Sequence, residues 1–398
     1  MHKKIFFIIF LYFLSLNLYG FNVKSSPSGA SVFLNGVFVG VTPIKLSNVG
    51  NCVLELQKGG YKKWNYKLKG EEKSLWARLS PTNSNFSFIK RINTGRAPKD
   101  IIFSPDGHYL IITTMGEAGI QIYNMQTEEI KFISIPKYGR YAGYVEGVFS
   151  PDGKEFWFNQ LGGRVFVLSM EDFTIKADIK SGGRMSKVGE FSPDGKLYYV
   201  SNWESCDITI IDRFTKKVLR RLYTKGKEPR GVGFSVDGNY LYVLYYGSGE
   251  IAKFDIKNDY KEVKRIYTGG SNGRFRLDPV KNIVYINNLR LSQIYTLDLA
   301  TDTLSKPIKV WTHPNNIKLS FDYRYLYVSC RGRDNPKGYE LRSPDNGVIQ
   351  VFDCETMKII EILPAGNQPI GLALTPDGKI FAFSNFMDAT VEFYSVEL

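Results

Sequence analysis

The sequence predicts an all-β protein: a seven-bladed β-propeller, preceded by a small β-domain and an N-terminal export signal. Two observations carry the fold class. The first is a repeat. Ser-Pro-Asp-Gly starts at Ser104, Ser150 and Ser192, with variants at Ser235, Ser320 and Thr375 and a decayed copy, Asp278-Pro279-Val280-Lys281. The third residues fall at 106, 152, 194, 237, 280, 322 and 377, so the spacings are 46, 42, 43, 43, 42 and 55. The second is that each interval holds four short apolar runs. In the fourth unit these are Gly231–Phe234, Leu241–Val243, Ile251–Asp255 and Val263–Ile266. Four strands per unit and seven units describe a ring of blades. A stacked solenoid is the alternative, but its β form has shorter coils and its α form needs a 3.6-residue period that is absent.

The elements follow in order. Lys3 and Lys4 precede an apolar run from Ile5 to Leu18, then Tyr19 and Gly20. This reads as an export signal over 1–20 with cleavage after Gly20, too short for the roughly 20 residues that span a bilayer. Retention as an anchor is the alternative. No later stretch is long and apolar enough to cross a membrane. Residues 21–80 are short strands broken by turn residues, with Val32-Phe33-Leu34 entering Asn35-Gly36, the dipeptide suited to a type I′ hairpin. Residues 21–82 hold nine Lys or Arg against Glu55, Glu71 and Glu72, with Trp64, Tyr66 and Trp76 interleaved. Such a module fits an anionic wall polymer or membrane surface; a solvated face is the plainer reading. Pro81–Asn85 is polar and turn-prone, the linker. The propeller occupies 86–398. Its chain stops after Val391–Tyr394, a third strand, while Phe86–Ile92 resembles an outermost strand with no blade before it. Residues 86–92 are therefore expected to complete the last blade and remove two open sheet edges.

Two resemblances rest on these residues. Pro27-Ser28-Gly29-Ala30, Leu34-Asn35-Gly36, Gly40, Thr42-Pro43 and Gly60-Tyr61 resemble the PEGA domain, with Ser28 in place of its Glu. That resemblance implies an exported protein of the periplasm or cell envelope and no catalytic residue. Tyr199-Val200-Ser201-Asn202, Tyr285-Ile286-Asn287-Asn288, Tyr327-Val328-Ser329-Cys330 and Ala382-Phe383-Ser384-Asn385, with Asp212, Asp255, Asp298 and Asp353 downstream, resemble the YVTN family of seven-bladed propellers. That family is similar in turn to lactonase-type (YncE-like) and haem-d1-type propellers. The resemblance implies the fold; one ring hosts many activities.

Composition narrows the function. There are 52 Lys and Arg against 39 Asp and Glu in 398 residues, a net charge of +13, and aromatics make up 14%. Four cysteines exclude a disulfide-built scaffold, and the repeats keep Cys206, Cys330 and Cys354 too far apart to pair, with Cys52 in the other domain. With His2 in the signal, only His108 and His313 remain for imidazole chemistry. No CxxCH, HExxH or CxxC occurs, so neither a cofactor nor a metal is expected. Gly269-Gly270-Ser271-Asn272-Gly273 matches GxSxG but lies between two strands, without the elbow that motif needs.

Aligned repeats place one set of residues on the face where outermost strands lead into innermost ones: Lys99, Val145, Lys187, Arg230, Arg274, Asn315 and Ile370, with Arg96, Arg184 and His313 just before. Loops between second and third strands add Arg164, Trp203, Tyr246, Arg290, Arg331, Arg333 and Asn385. Glu146 and Glu190 are the nearest acids. A concave basic mouth favours an anionic ligand, unless these side chains pair with neighbouring acids. The insertion 331–346 sits on the same face as a candidate lid or contact loop. The leading function is thus a monomeric, non-enzymatic envelope binding or scaffold protein. Its partner is an anionic envelope polymer, a small anionic ligand or another protein, with single-stranded nucleic acid a further anion to test. The alternative is a lactonase-like hydrolase with Glu146, Glu190 or His313 as base and Arg230 holding the substrate anion.

Overall fold

The computed structural model describes residues 21–47, 49–70, 72–136 and 143–398; the export signal expected over 1–20 lies outside them. The chain forms two compact units, Met1–Phe88 and Ile89–Leu398.

In the first unit, Phe21–Ser26 pairs with Ile44–Leu46 and Ser74–Arg78 in one sheet, and a second sheet runs Val37–Val41, Ser31–Leu34, Cys52–Gln57, Trp64–Leu68. Alternation sets the core: Val32, Leu54 and Leu56 are fully buried while Val53 faces out. Leu34 pairs with Val37 across the tight turn, where Asn35 and Gly36 take φ of 45° and 83°. Trp64 is buried and stacks on Tyr66 at 5.7 Å, so it belongs to this core rather than to an exposed basic face.

The second unit holds seven sheets around one axis. The innermost strands are Pro98–Phe103, Tyr144–Phe149, Ser186–Phe191, Pro229–Phe234, Asn272–Asp278, Pro314–Leu319 and Pro369–Leu374. Each neighbours the next, and the seventh returns to the first. The fourth strand of the seventh sheet is Phe86–Asn93. The outermost strand of blade five is split into Thr303–Leu304 and Ile308–Lys309. Pro307 stands in the gap and has no N–H for the ladder.

Core side chains sit between blades. Ile111, Phe156, Phe158 and Phe166 fill the space between blades one and two, and Tyr242, Phe275 and Ile286 that between four and five. The repeated turn explains itself. Ser104 Oγ accepts from Tyr109 N at 3.0 Å and donates to Asp106, and Gly107 N closes on Ser104 O at 2.8 Å. The turn glycine serves twice. At Gly195 φ is +70°, and an added Cβ would lie 2.8 Å from the preceding blade's Pro151. Pro376 sits against Gly107 in the same way, across the closure of the ring.

Candidate functional site

The channel is built from repeated positions on the innermost strands. Every one of those strands carries a register shift against its neighbour near its start. A bulge breaks strict alternation, and consecutive residues such as Lys99 and Asp100, or Asn315 and Asn316, both line the channel. The first tier, at the mouth, is Lys99, Val145, Lys187, Arg230, Gly273, Asn315 and Ile370; the second, one residue on, includes Asp100, Glu146, Arg274 and Asn316. A third tier, two residues deeper, holds Glu190, Arg276 and Lys318.

This corrects the position of Arg274. Its backbone N–H donates to Asn287 Oδ1 at 2.8 Å, the bond that Asp100 N makes to Thr113 and Asn316 N to Ser329. Asp278 pairs with Ile283, so the decayed turn keeps the five-residue spacing of its siblings and aligns Gly273, not Arg274, with Arg230. Arg274 lies beneath the mouth, where Nη2 approaches Glu146 Oε1 at 3.1 Å and Asp100 Oδ2 at 3.7 Å.

At the mouth, Lys99, Lys187, Arg230 and Arg331 share one cavity of about 100 Å³ with Glu146, Asn315, Trp203, Tyr246 and Tyr339. The aromatic groups form walls on which the cations rest. Lys187 Nζ lies 4.4 Å from the Trp203 ring centroid, and the Arg230 and Arg331 guanidinium carbons lie 5.4 Å from those of Tyr246 and Tyr339. Trp203 meets Tyr246 edge-on at 5.4 Å. Glu146 is 2% exposed, and Arg230 reaches its Oε1 only at 4.0 Å. Burial would raise the Glu146 pKa, but Arg274, Lys99, Arg230 and Lys187 together hold it below the usual value. Burial pushes Lys187 down to about 8 and Lys99 well below the ordinary lysine value. Four buried polar atoms here, Arg230 Nε, Arg331 Nε, Trp203 Nε1 and Glu146 Oε2, have no partner among the described residues, although such atoms are normally satisfied.

The insertion supplies one wall. Gln368 Nε2 donates to Tyr339 O at 2.8 Å and Leu341 O at 2.9 Å, and Ser343 N donates to Asn367 Oδ1 at 2.9 Å. These bonds tie the inserted loop to blade seven and bring Tyr339 over Arg331. Tyr339 escaped the sequence reading because its place depends on this tether.

The other sequence candidates lie elsewhere. Arg96 is exposed and bonds Gly116 O and Glu117; Arg184 is exposed beside Glu204. Arg164 pairs with Asp178 on the third and fourth strands of blade two, and Arg333 pairs with Asp345. Arg290 is exposed. Asn385 is buried, accepting from Gly366 N at 2.8 Å and donating to Thr390 and Glu392, so it shapes a loop. His313 takes φ +55° at the turn position that Ala97, Met185, Glu228 and Gln368 fill in other blades, and its Nδ1 lies 2.9 Å from Gly332 O. Among the described residues no group of three or more His, Cys, Asp or Glu side chains gathers to hold a metal.

Comparison with known proteins bears on both units. Residues 18–83 match the PEGA domain, and residues 98–273 match the family described as Lactonase, 7-bladed beta-propeller. Antigen Lp49 of Leptospira interrogans is 31% identical over 353 residues, spanning 86% of this chain and 77% of its own. The uncharacterized protein YncE of Salmonella typhimurium is 26% identical over 212 residues, 52% of this chain and 56% of its own. Among solved structures, a chain of Kuenenia stuttgartiensis hydrazine synthase superposes with a TM-score of 0.63 at 17% identity, over 77% of this chain and 97% of that one. The last likeness is one of fold alone.

Proposed function

Because the chain belongs to the family of antigen Lp49 and itself joins a PEGA domain to a seven-bladed lactonase-type propeller, we propose that it is an exported binding protein of the cell envelope whose propeller mouth takes an anionic group. The ligand is a small anion or the charged end of an envelope polymer. The observation that carries the reading is the convergence of Lys99, Lys187, Arg230 and Arg331 on one cavity around a single carboxylate, Glu146. Lys187 and Arg230 rest on Trp203 and Tyr246 rather than in close ion pairs, while Arg331 keeps an ion pair of 2.5 Å to Asp334 beside its contact with Tyr339. A carboxylate or phosphate would supply acceptors for the unpartnered Arg230 and Arg331 Nε atoms. The size of about 100 Å³ suits one such group with a few attached atoms, and offers no groove for a nucleic-acid strand.

Titration calorimetry of the purified protein against sugar acids, phosphosugars and wall fragments tests this. Arg230→Gln or Lys187→Gln should weaken binding at least tenfold, about 1.4 kcal/mol. Binding unchanged in the double variant would overturn it.

The lactonase-type family match supports a second reading, hydrolysis of a small anionic lactone. Its difficulty is the base: Glu146 lies 3.1 Å from Arg274, and its lowered pKa makes it a weak proton acceptor. Turnover of a lactone panel that is lost in Glu146→Gln would select the hydrolase.

A further inference from the structure

Beneath Arg274 the channel opens into a second chamber of about 420 Å³, with Pro105, Phe321 and Pro376 of the opposite face at its rim. Its charges are sorted by side. The acids Asp100, Glu146 and Glu190 come from blades one, two and three; the cations Arg274, Arg276 and Lys318 come from blades five and six. Blades four and seven bring Gly233 and Ala373 to the level of Glu190, Arg276 and Lys318. Because the innermost strands follow one another in cyclic order, the carboxylates occupy one half of the wall and the cations the other.

Among the described residues the two halves touch only at the top, where Arg274 Nη2 lies 3.1 Å from Glu146 Oε1 and 3.7 Å from Asp100 Oδ2. Neither Arg276 nor Lys318 lies within 4.0 Å of a carboxylate among those residues. Arg276 turns Nε to Ile317 O at 3.0 Å and Nη1 to Phe275 O at 3.1 Å, which fixes the guanidinium at the wall. Glu190 Oε1 accepts from Phe191 N at 3.2 Å, and Asp100 Oδ1 from Ile101 N at 3.2 Å. Asp100 is 6% exposed and has Arg274 at 3.7 Å as its nearest cation. Glu190, Arg276 and Lys318 have no ion partner among the described residues, which is costly for charges withdrawn from water. Their separation across a lumen matches a guest that carries both signs.

We propose that the lower chamber binds a zwitterion, an α-amino acid or a dipeptide. The ammonium faces Asp100 and Glu190 and the carboxylate faces Arg276 and Lys318. This site is distinct from the mouth, and the Arg274 side chain stands between the two. Neither end of the guest suffices: a lone anion meets the acidic wall, and a lone cation meets the basic one.

Calorimetry with L-alanine and L-alanyl-L-alanine, against N-acetyl-L-alanine and L-alaninamide, reads this directly. The zwitterions should bind at least tenfold more tightly than either singly charged analogue. Glu190→Gln and Lys318→Gln should each weaken zwitterion binding at least tenfold, Lys318→Arg should retain it, and Arg230→Gln should leave it unchanged. The lysine pair keeps the test open if the glutamate variant fails to fold. Absence of binding by both zwitterions overturns the proposal. So does equal binding of N-acetyl-L-alanine, or a zwitterion affinity that follows Arg230→Gln and ignores Lys318→Gln; the last result would leave the anion-binding mouth standing.

Discussion

Lys187 concentrates the electrostatics of the mouth in one side chain. Burial is the main cause of its fall to about 8, with Arg230 adding to it and Glu146, Glu228 and Glu340 opposing. Between pH 8 and 10.5 the unfolded chain keeps a proton on this lysine that the folded protein has released, so its contribution to stability rises with pH across that window. Anion binding runs the other way, because it needs the ammonium. Affinity for an anion at the mouth should hold steady from pH 6 to 7.5 and fall above pH 8. In Lys187→Arg the fall should be smaller, with what remains belonging to Lys99, which burial also holds below the ordinary lysine value. Calorimetry across pH checks this, and a flat profile in the unaltered protein would remove Lys187 from the site. The same scale shows what the sequence could reveal. Lys99, Lys187, Arg230 and Arg331 were legible because the repeat numbers them. The ion pairs that withdraw Arg164 and Arg333 from the mouth were not, since Asp178 and Asp345 meet them only through strand pairing and loop closure.

At the level of elements, the third residue of each Tyr-Val-Ser-Asn-like segment joins neighbouring blades. Ser201 Oγ donates to Arg230 O at 2.8 Å, Ser329 Oγ to Ile370 O at 2.9 Å, and Asn287 Nδ2 to Pro314 O at 2.7 Å. Thr113 reaches Val145 O, and Asn159 reaches Lys187 O at 3.0 Å. Ser384 spans the closure: it accepts from Gly371 N at 2.9 Å and donates to Pro98 O at 3.1 Å. Blade four breaks the series with Leu244, which packs against Gly231 instead. Ser384→Ala strips a buried N–H and a buried carbonyl of their partner at once and should cost about 1–3 kcal/mol, read as a lower urea midpoint with an unchanged slope. At the repeated turn, Gly195→Ala must carry φ +70° and press a methyl on Pro151, so it should lower the midpoint as well. The motif announced these residues without announcing their task. Arg274 was placed one tier too high because the decayed turn Asp278–Lys281 gave the alignment a poor anchor; the bulges left no mark at all, being a property of two strands in register, and so the lower chamber stayed hidden.

For the whole molecule the decisive contact is the one that turns a row of blades into a ring. A row would end in an unpaired inner blade and an unpaired outer edge, both open to other chains. Here the first and seventh blades share a core of Ile101, Phe103, Tyr123, Ala373 and Phe393, against which Ile89 and Ile92 of the strand Phe86–Asn93 pack. Thr94 N donates to Ala389 O at 2.8 Å, continuing the join beyond the strand. Lys90 Nζ lies 2.6 Å from both Tyr123 OH and Glu128 Oε1 and 5.6 Å from the Phe393 ring centroid, so it touches both blades. The first two tiers of the channel depend on this closure, because Lys99 and Asp100 belong to the blade that it fixes. Deleting residues 84–92 should lower the melting temperature by more than 10 °C, and it should abolish anion binding at the mouth even in the fraction that remains folded. Ile89→Asp, a milder lesion in the same strand, should act in the same direction with a smaller shift. A melting curve unchanged by both would mean that the ring closes without this strand, and the assignment of its function as a latch would be withdrawn.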